Sequence, residues 1–288
     1  MGMFASVNGV VTEAADARVS VLDNGFTFGD AVYETLRTYG GRPFHLDRHL
    51  DRLRRSAAGL RIALPLADGE LRARVDALLA ASGNPESYLR IIVSRGVGDI
   101  SYAFERVQGP TVVMVTKPYQ PLPAEAYRDG VPVIVSSVRR NHRAALDPAL
   151  KCCNLLNNAL AMQEARDRGA LEPIMLNHDG EVAEGAGSNV FLVKDGVLVT
   201  PPLSAGILAG VTRAVVLERA AVLGVPVRET TVHVAELFAA DEVFITSSLK
   251  ELVPVRTVDG TAVGGGRPGP VTRQLLADYR AEAPAHCG

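Results

Sequence analysis

The chain has 288 residues, 47% of them apolar, and a formal charge of −2 with acids and bases interspersed. That balance excludes a nucleic-acid groove or a basic membrane face, while the length and apolar fraction allow two hydrophobic cores. No apolar run approaches the roughly 20 residues of a membrane-spanning helix, and the N-terminus shows no basic-then-apolar secretory pattern.

Taken in chain order, "MFASVNGVVTEA" reads as a first strand with a hairpin turn, and "RVSVLD" as another strand. "VYETLRTYGGRPF" reads as a hairpin with Gly40 and Gly41 at its tip. In "HLDRHLDRLRRSAAGLRI", Leu46, Leu50, Leu53, Ala57 and Leu60 mark one helical face, so Arg48, Arg52 and Arg55 read as solvated. Residues 68–82 form a second helix, followed by the strands "YLRIIVSRG" and "TVVMVTK". "KPYQPLPAEAY", with Pro118, Pro121 and Pro123, marks a linker. The expected organisation is therefore a smaller N-terminal domain over 1–117, a linker over 118–123 and a larger domain over 124–288.

The second half opens with the strand "VPVIVSSVRR". A helix is then expected to start at Lys151 and to bury Leu155, Leu156, Ala159, Leu160, Met162 and Ala165, stopping at Gly169. Short strands follow in "EPIMLN", "EVAE", "NVFLVK" and "VLVTP", then a helix over 212–223. The strands "VPVRETTV", "ADEVFITSS" and "LVPVRTVDG" and a last helix near 269–282 complete the chain. The fold class is mixed α/β.

Chemistry has few places to sit. Cys152, Cys153 and Cys287 have neither the C-x-x-C spacing of a zinc site nor the number for a disulfide framework. No metal is expected, and the compartment implied is a reducing cytoplasm. Lys151 is either a surface lysine at a helix entrance or a nucleophile in a dry pocket. Glu184, at a strand end before Gly185 and Gly187, is either a turn residue or a carboxylate aimed at a ligand. Gly210, Val211 and Thr212 open a helix, where backbone N–H groups and a hydroxyl make either a plain cap or a phosphate seat. Thr246, Ser247 and Ser248 are either a polar loop or a second side of that seat. Neither "GVGD" nor "EGAG" completes a dinucleotide fingerprint.

Together, one lysine, one carboxylate and two phosphate-binding turns are the parts needed to hold pyridoxal 5'-phosphate. A carboxylate in contact with a protonated pyridine nitrogen gains about 4 kcal/mol before desolvation, at an effective dielectric near 20.

"FTFGDAVYETLRTY", "HLDRHLDRL", "LKCCNLLNNALAMQEA", "EVAEGAGSNVFLV", "GILAGVTR" and "DEVFITSSLKELVPV" occur in the order found in one family. The chain resembles the class IV aminotransferases, the fold-type-IV pyridoxal-phosphate enzymes. These include branched-chain and D-amino acid aminotransferases and aminodeoxychorismate lyases. The resemblance implies two domains, the larger with a β-barrel-like core, and a homodimer or larger homo-oligomer with the cofactor between the domains. Lys151 matches the Schiff-base lysine and Glu184 the partner of the pyridine nitrogen. Arg52, Val211, Thr212, Ser247 and Ser248 match phosphate ligands, and Leu208 a leucine under the ring. Tyr33, Arg95, Tyr102 and Leu249 fall on the substrate side, with Arg90 and the loop 100–104 shaping that region.

"YLRIIVSRGVGD" is similar to the branched-chain branch. Leu155 departs from it, standing where a tyrosine is common, and is more like the D-amino acid branch. That branch carries an R-x-H pair after "RG", which "GVGDISYAFERVQG" lacks. The implied activity is amino transfer between an apolar amino acid and 2-oxoglutarate. The alternatives are a D-amino acid aminotransferase and a pyruvate-releasing lyase.

Overall fold

In the computed structural model, residues 1–287 are described, and they divide into two compact units. One contains residues 1–120, 150–154 and 283–287; the other contains 121–149 and 155–282. The chain therefore leaves the second unit for five residues around Lys151 and returns to it, a pattern that a single cut at a linker does not describe.

The first unit is built on a six-stranded antiparallel sheet in the order β2-β1-β6-β5-β3-β4. Its elements are β1 (Phe4–Val7), β2 (Val10–Glu13), α1 (Asn24–Phe28), β3 (Ala31–Tyr39), β4 (Arg42–Pro43), α2 (Leu46–Gly59), α3 (Asp68–Ser82), β5 (Ser87–Ser94) and β6 (Thr111–Pro118). The strands alternate. Leu36 on β3 and Leu89, Ile91 and Val93 on β5 are fully buried against Leu50 and Leu53 of α2 and Leu71, Val75 and Leu78 of α3. The β3–β4 turn needs two residues of positive φ, which Gly40 and Gly41 supply at 59° and 75°. "RVSVLD" forms no strand, and Val19, Val21 and Leu22 are exposed. With its apolar side chains in solvent, that segment has no buried face to fix a register.

The second unit holds α4 (Ala124–Asp129), β7 (Val131–Val135), α5 (Leu156–Asp167), β8 (Glu172–Leu176), β9 (Val182–Gly185), β10 (Asn189–Lys194), β11 (Val197–Thr200), α6 (Val211–Val222), β12 (Val227–Glu229), α7 (Val234–Ala239), β13 (Glu242–Ser247), β14 (Glu251–Val258), β15 (Thr261–Ala262) and α8 (Pro270–Glu282). Eight strands run in the order β12-β11-β10-β13-β14-β7-β8-β9, and β15 pairs with β14. The pairs β7–β8 and β11–β12 are parallel, so each needs a crossover, supplied by α5 and α6. The sheet curls: β9, at one edge, turns directly into β10, where Gly185 N–H bonds to Ser188 O at 2.7 Å. Strands buried on both faces, such as "EPIML" and "NVFLV", read as continuous apolar runs for that reason.

The helix expected from Lys151 starts five residues later, at Leu156. Residues 151–153 make backbone hydrogen bonds to β3 and cannot also make helical ones. The predicted apolar face is also displaced. Ala165 is buried as expected, with Ile134 and Ala170, but Leu156 and Leu160 are 73% and 56% exposed, and Ala161 is buried in their place. Small residues on that side let the helix approach the sheet closely. Among the described residues, no helix is long and apolar enough to cross a membrane.

Leu50 is fully buried between α2 and the first sheet. Leu50→Ala is expected to destabilise the first unit by about 2–5 kcal/mol, the range for a buried leucine that leaves a cavity, read as a lower denaturant midpoint.

Candidate active site

In the first unit, Lys151 is fixed through its backbone. Its carbonyl accepts from Tyr33 N–H at 2.9 Å, and Cys153 N–H donates to Ala31 O at 2.8 Å, so the segment lies against the start of β3. Lys151 N–H donates to Ser56 Oγ of α2 at 3.1 Å. The side chain is thereby aimed over the Tyr33 ring, with Nζ 4.5 Å from the centroid. The guanidinium of Arg90 also lies over Tyr33, at 4.1 Å. Burial pushes the Tyr33 hydroxyl up to about 12, against the opposing pull of Arg90, so it stays protonated at working pH. The Tyr88 hydroxyl and the Cys153 thiol interact electrostatically with Arg90, and among the described residues no carboxylate pairs with it.

Arg52 is buried, not solvated. Its Nε and Nη2 donate to Glu34 Oε1 and Oε2, both at 2.7 Å, and His49 Nδ1 bonds Glu34 Oε2 at 2.7 Å. The solvated reading fails because α2 buries His49, Arg52 and Ser56 beside its leucines, opposite a carboxylate that needs a cation. Burial alone would raise the Glu34 carboxyl. The charge and hydrogen bonds of Arg52, with those of His49, outweigh it and hold the group at about 2. Burial lowers His49, against the pull of Glu34.

Arg95 is also committed inside this unit. It donates to Asp30 at 2.5 and 3.0 Å and to the carbonyls of Arg61 and Leu60 at 2.8 and 2.7 Å. Phe104 lies against its guanidinium at 3.6 Å. With Phe28 these residues line a cavity of about 510 Å³. Tyr102 is 85% exposed and meets the Phe28 ring at 5.0 Å.

In the second unit, Glu184 is buried at the end of β9, and three donors hold its carboxylate. Arg140 Nε reaches Oε1 at 2.8 Å; Leu208 N–H and Asn189 Nδ2 reach Oε2 at 3.0 and 3.2 Å. Leu208 therefore contributes its backbone here, and its side chain is half-buried. The α6 helix starts at Val211 after Gly210, which offers no side-chain cap. A Cβ at Gly210 would collide with Asn189 Oδ1 and displace that side chain. The hydroxyls of Thr212 and Thr246 are both buried with no hydrogen-bond partner. An orphaned buried hydroxyl costs free energy unless a ligand completes it, and two of them on these turns fit a phosphate. Ser247, Ser248 and Leu249 lie half-buried in the turn after Thr246, where Ser247 Oγ accepts from Lys250 N–H at 3.2 Å.

Glu172, fully buried on β8, ties two of these turns together. Its Oε1 accepts from Gly187 N–H and Ser188 Oγ, each at 2.8 Å, and its Oε2 pairs with Lys250. A Cβ on Gly185 would lie 2.8 Å from Glu172 Oε1 and strike Ser188 Oγ. Gly185 of "EGAGS" thereby admits this carboxylate.

Sequence reading missed Glu34, His49, Arg140, Glu172 and Asn189. Glu34 carries a signal: it has the parity of the buried Val32 and Leu36 on β3, and a carboxylate in a core position requires partners. Arg140 carries none, standing in the irregular run "SSVRRNHR".

The family model described as "Amino-transferase class IV" matches residues 31–258. The chain belongs to the class IV aminotransferases. A provisionally named branched-chain-amino-acid aminotransferase of Methanocaldococcus jannaschii is 39% identical over 274 residues, covering 95% of this chain and 94% of that protein. A D-alanine aminotransferase of Bacillus licheniformis is 36% identical over 268 residues, 93% of each chain. The crystal structure of the T.th. branched-chain amino acid aminotransferase with pyridoxamine 5'-phosphate superposes with a TM-score of 0.94 at 30% identity, over 99% of this chain and 95% of that one. Class IV aminotransferases are pyridoxal-phosphate transaminases of fold type IV, and this chain is such an enzyme. The buried Glu184 and the two orphaned hydroxyls fit the cofactor this family uses.

The Glu34 cluster makes stability acid-sensitive. Glu34 lies below its ordinary value of 4.5 when folded, so its contribution is complete above that pH and is lost as pH falls through about 2. His49 is held below 6.5, so charging it opposes folding at pH values beneath that. Stability should decline from near pH 6.5 downward, and Glu34→Gln should flatten the acid limb, checked by urea unfolding across that range.

Proposed function

We propose that this aminotransferase moves an amino group between an apolar, branched-chain type amino acid and 2-oxoglutarate, using pyridoxal 5'-phosphate. The observation that carries the reading is the pairing of Lys151 and Arg90 over the same Tyr33 ring, at 4.5 and 4.1 Å. Lys151 is an amine able to move a proton at the substrate's α-carbon. Arg90 is a cation without a carboxylate partner among the described residues, and a dicarboxylate acceptor supplies one. Arg95 is less suited, since Asp30 already matches its charge.

The cofactor supplies the aldehyde and the electron-withdrawing ring that the chemistry needs. The protein's share falls to named side chains. Glu184, held in place by Arg140, Asn189 and Leu208 N–H, presents negative charge to a ring nitrogen. Arg52, Thr212, Thr246, Ser247, Ser248 and the Val211 end of α6 take the phosphate. The protonated Tyr33 hydroxyl orients groups by hydrogen bonding and cannot act as a base. Leu208, Tyr102 and Leu249 bound the ring and the substrate with apolar surface.

Ile100, Tyr102 and Phe104, and the absence of an R-x-H pair after Gly96, support an apolar L-amino acid donor. A second reading, a D-amino acid aminotransferase, is supported by Leu155 and by relatives named as D-alanine aminotransferases. The reading includes a cytoplasmic homodimer or larger assembly of this chain, supported by the exposed Val21, Phe26, Leu156 and Leu160.

Five measurements test this. Borohydride reduction should fix the cofactor to the peptide containing Lys151, and a label elsewhere refutes the assignment. Glu184→Gln should keep the cofactor but lose roughly 10²-fold in turnover, a few kcal/mol of transition-state stabilisation. Arg90→Met should raise the KM for 2-oxoglutarate by roughly 10- to 100-fold, the worth of a charge-assisted hydrogen bond, and that for a monocarboxylic 2-oxo acid far less. Bleaching of the cofactor band by D-alanine but not L-leucine would select the second reading. Release of pyruvate from aminodeoxychorismate without bleaching by either hand would make the protein a lyase.

A further inference from the structure

The strand β3 turns Val32, Glu34 and Leu36 inward, and Glu34 is fully buried. A buried carboxylate is tolerated only when paired, and this one has two partners from a single helix. On α2, Arg52 and Ser56 are four residues apart, hence neighbours on one face. Ser56 Oγ holds the backbone of Lys151 at 3.1 Å, so the helix carries Arg52 one turn from the anchor of the catalytic lysine.

The guanidinium is planar and its N–H directions are fixed. Glu34 grips it side-on, with Oε1 on Nε and Oε2 on Nη2, both at 2.7 Å. That grip sets both the plane of the group and the direction of its opposite edge. His49 Nδ1, at 2.7 Å from Glu34 Oε2, fixes the carboxylate in turn.

We propose that Glu34 is a positioning residue for cofactor binding: it aims the outer edge of Arg52 at the phosphate, with His49 bracing it, and touches neither cofactor nor substrate itself. This rests on the reading of Arg52 as a phosphate ligand. Because Glu34 already balances the charge of Arg52, recognition here is directional hydrogen bonding more than net charge. Two effects therefore compete when Glu34 is neutralised. Loss of aim weakens phosphate binding; loss of the opposing charge strengthens it. Aim dominates, because glutamine would turn an N–H₂ group toward the donors of Arg52 or His49 and displace the guanidinium.

The test is the affinity of the full-length, cofactor-stripped protein for pyridoxal phosphate and for pyridoxal, which lacks the phosphate. Glu34→Gln should raise the dissociation constant for pyridoxal phosphate roughly 10- to 100-fold, the worth of a charge-assisted hydrogen bond, and change that for pyridoxal by less than about threefold. Glu34→Asp keeps the charge but shortens the reach, and should fall between wild type and Glu34→Gln; it carries the test if the glutamine variant does not fold. Arg52→Gln separates the two readings. If it leaves the ratio of the two affinities at the wild-type value, Arg52 is not a phosphate ligand and the proposal falls with it. If Arg52→Gln collapses the ratio while the Glu34 variants preserve it or tighten pyridoxal phosphate, the phosphate reading stands and the positioning role is overturned. Equal weakening of both ligands by the Glu34 variants makes the residue merely structural and also overturns it.

Discussion

Everything around Lys151 depends on two backbone hydrogen bonds that clip residues 151–153 to the start of β3. They explain why the chain leaves one compact unit for five residues and then re-enters it. They also explain why the helix waits until Leu156, since a backbone committed to a neighbouring strand cannot bond four residues along itself. A lysine on a helix would sweep its side chain with every fluctuation of the helix end. A lysine on an extended segment braced by Ser56 and Tyr33 has its Cα fixed from both sides, and only the side chain is left to move.

Buried carboxylates organise the surroundings within each unit. Glu34 gathers Arg52 and His49; Glu172 gathers Gly187, Ser188 and Lys250; Glu184 gathers Arg140, Asn189 and Leu208. Removing any charge from water costs several kcal/mol, and here each is met by two or three donors, at least one of them cationic. Such hubs are poor sources of net stability but good sources of geometry. A carboxylate with most of its lone pairs engaged has one orientation, and the turns it holds share that orientation. The turns at Gly210 and Thr246 differ. Gly210 is bare of a side-chain cap, and the hydroxyls of Thr212 and Thr246 lack partners, so the protein leaves polar capacity for a ligand to complete.

The arginines on and directly after β5, Arg90 and Arg95, show how similar residues acquire different duties. Arg95 meets Asp30, two carbonyls and Phe104, so it braces the loop beside it. Arg90 stacks on Tyr33 and meets only neutral partners among the described residues. In sequence they are five positions apart, with nothing local to tell them apart. The difference lies in which carboxylate the fold brings near.

The sequence by itself determined the element types, because periodicity of two or near four survives in any environment that buries one face. It placed β5, β6, α2 and α3, and its six ordered motifs carried the family. It also marked Lys151, Glu184 and the helix start at Val211, where turn chemistry and residue type coincide locally. It misread three things for one reason: each depends on contacts distant in sequence. Arg52 looks solvated until Glu34, eighteen residues earlier, is placed opposite it. The start of α5 looks continuous with Lys151 until β3 claims that backbone. Leu156 and Leu160 look like a core face until the sheet is seen to take the alanine side instead. Only tertiary structure decided these, because pairing a charge, satisfying an amide and choosing a buried face are settled by which partner arrives, and a partner far along the chain leaves no local trace.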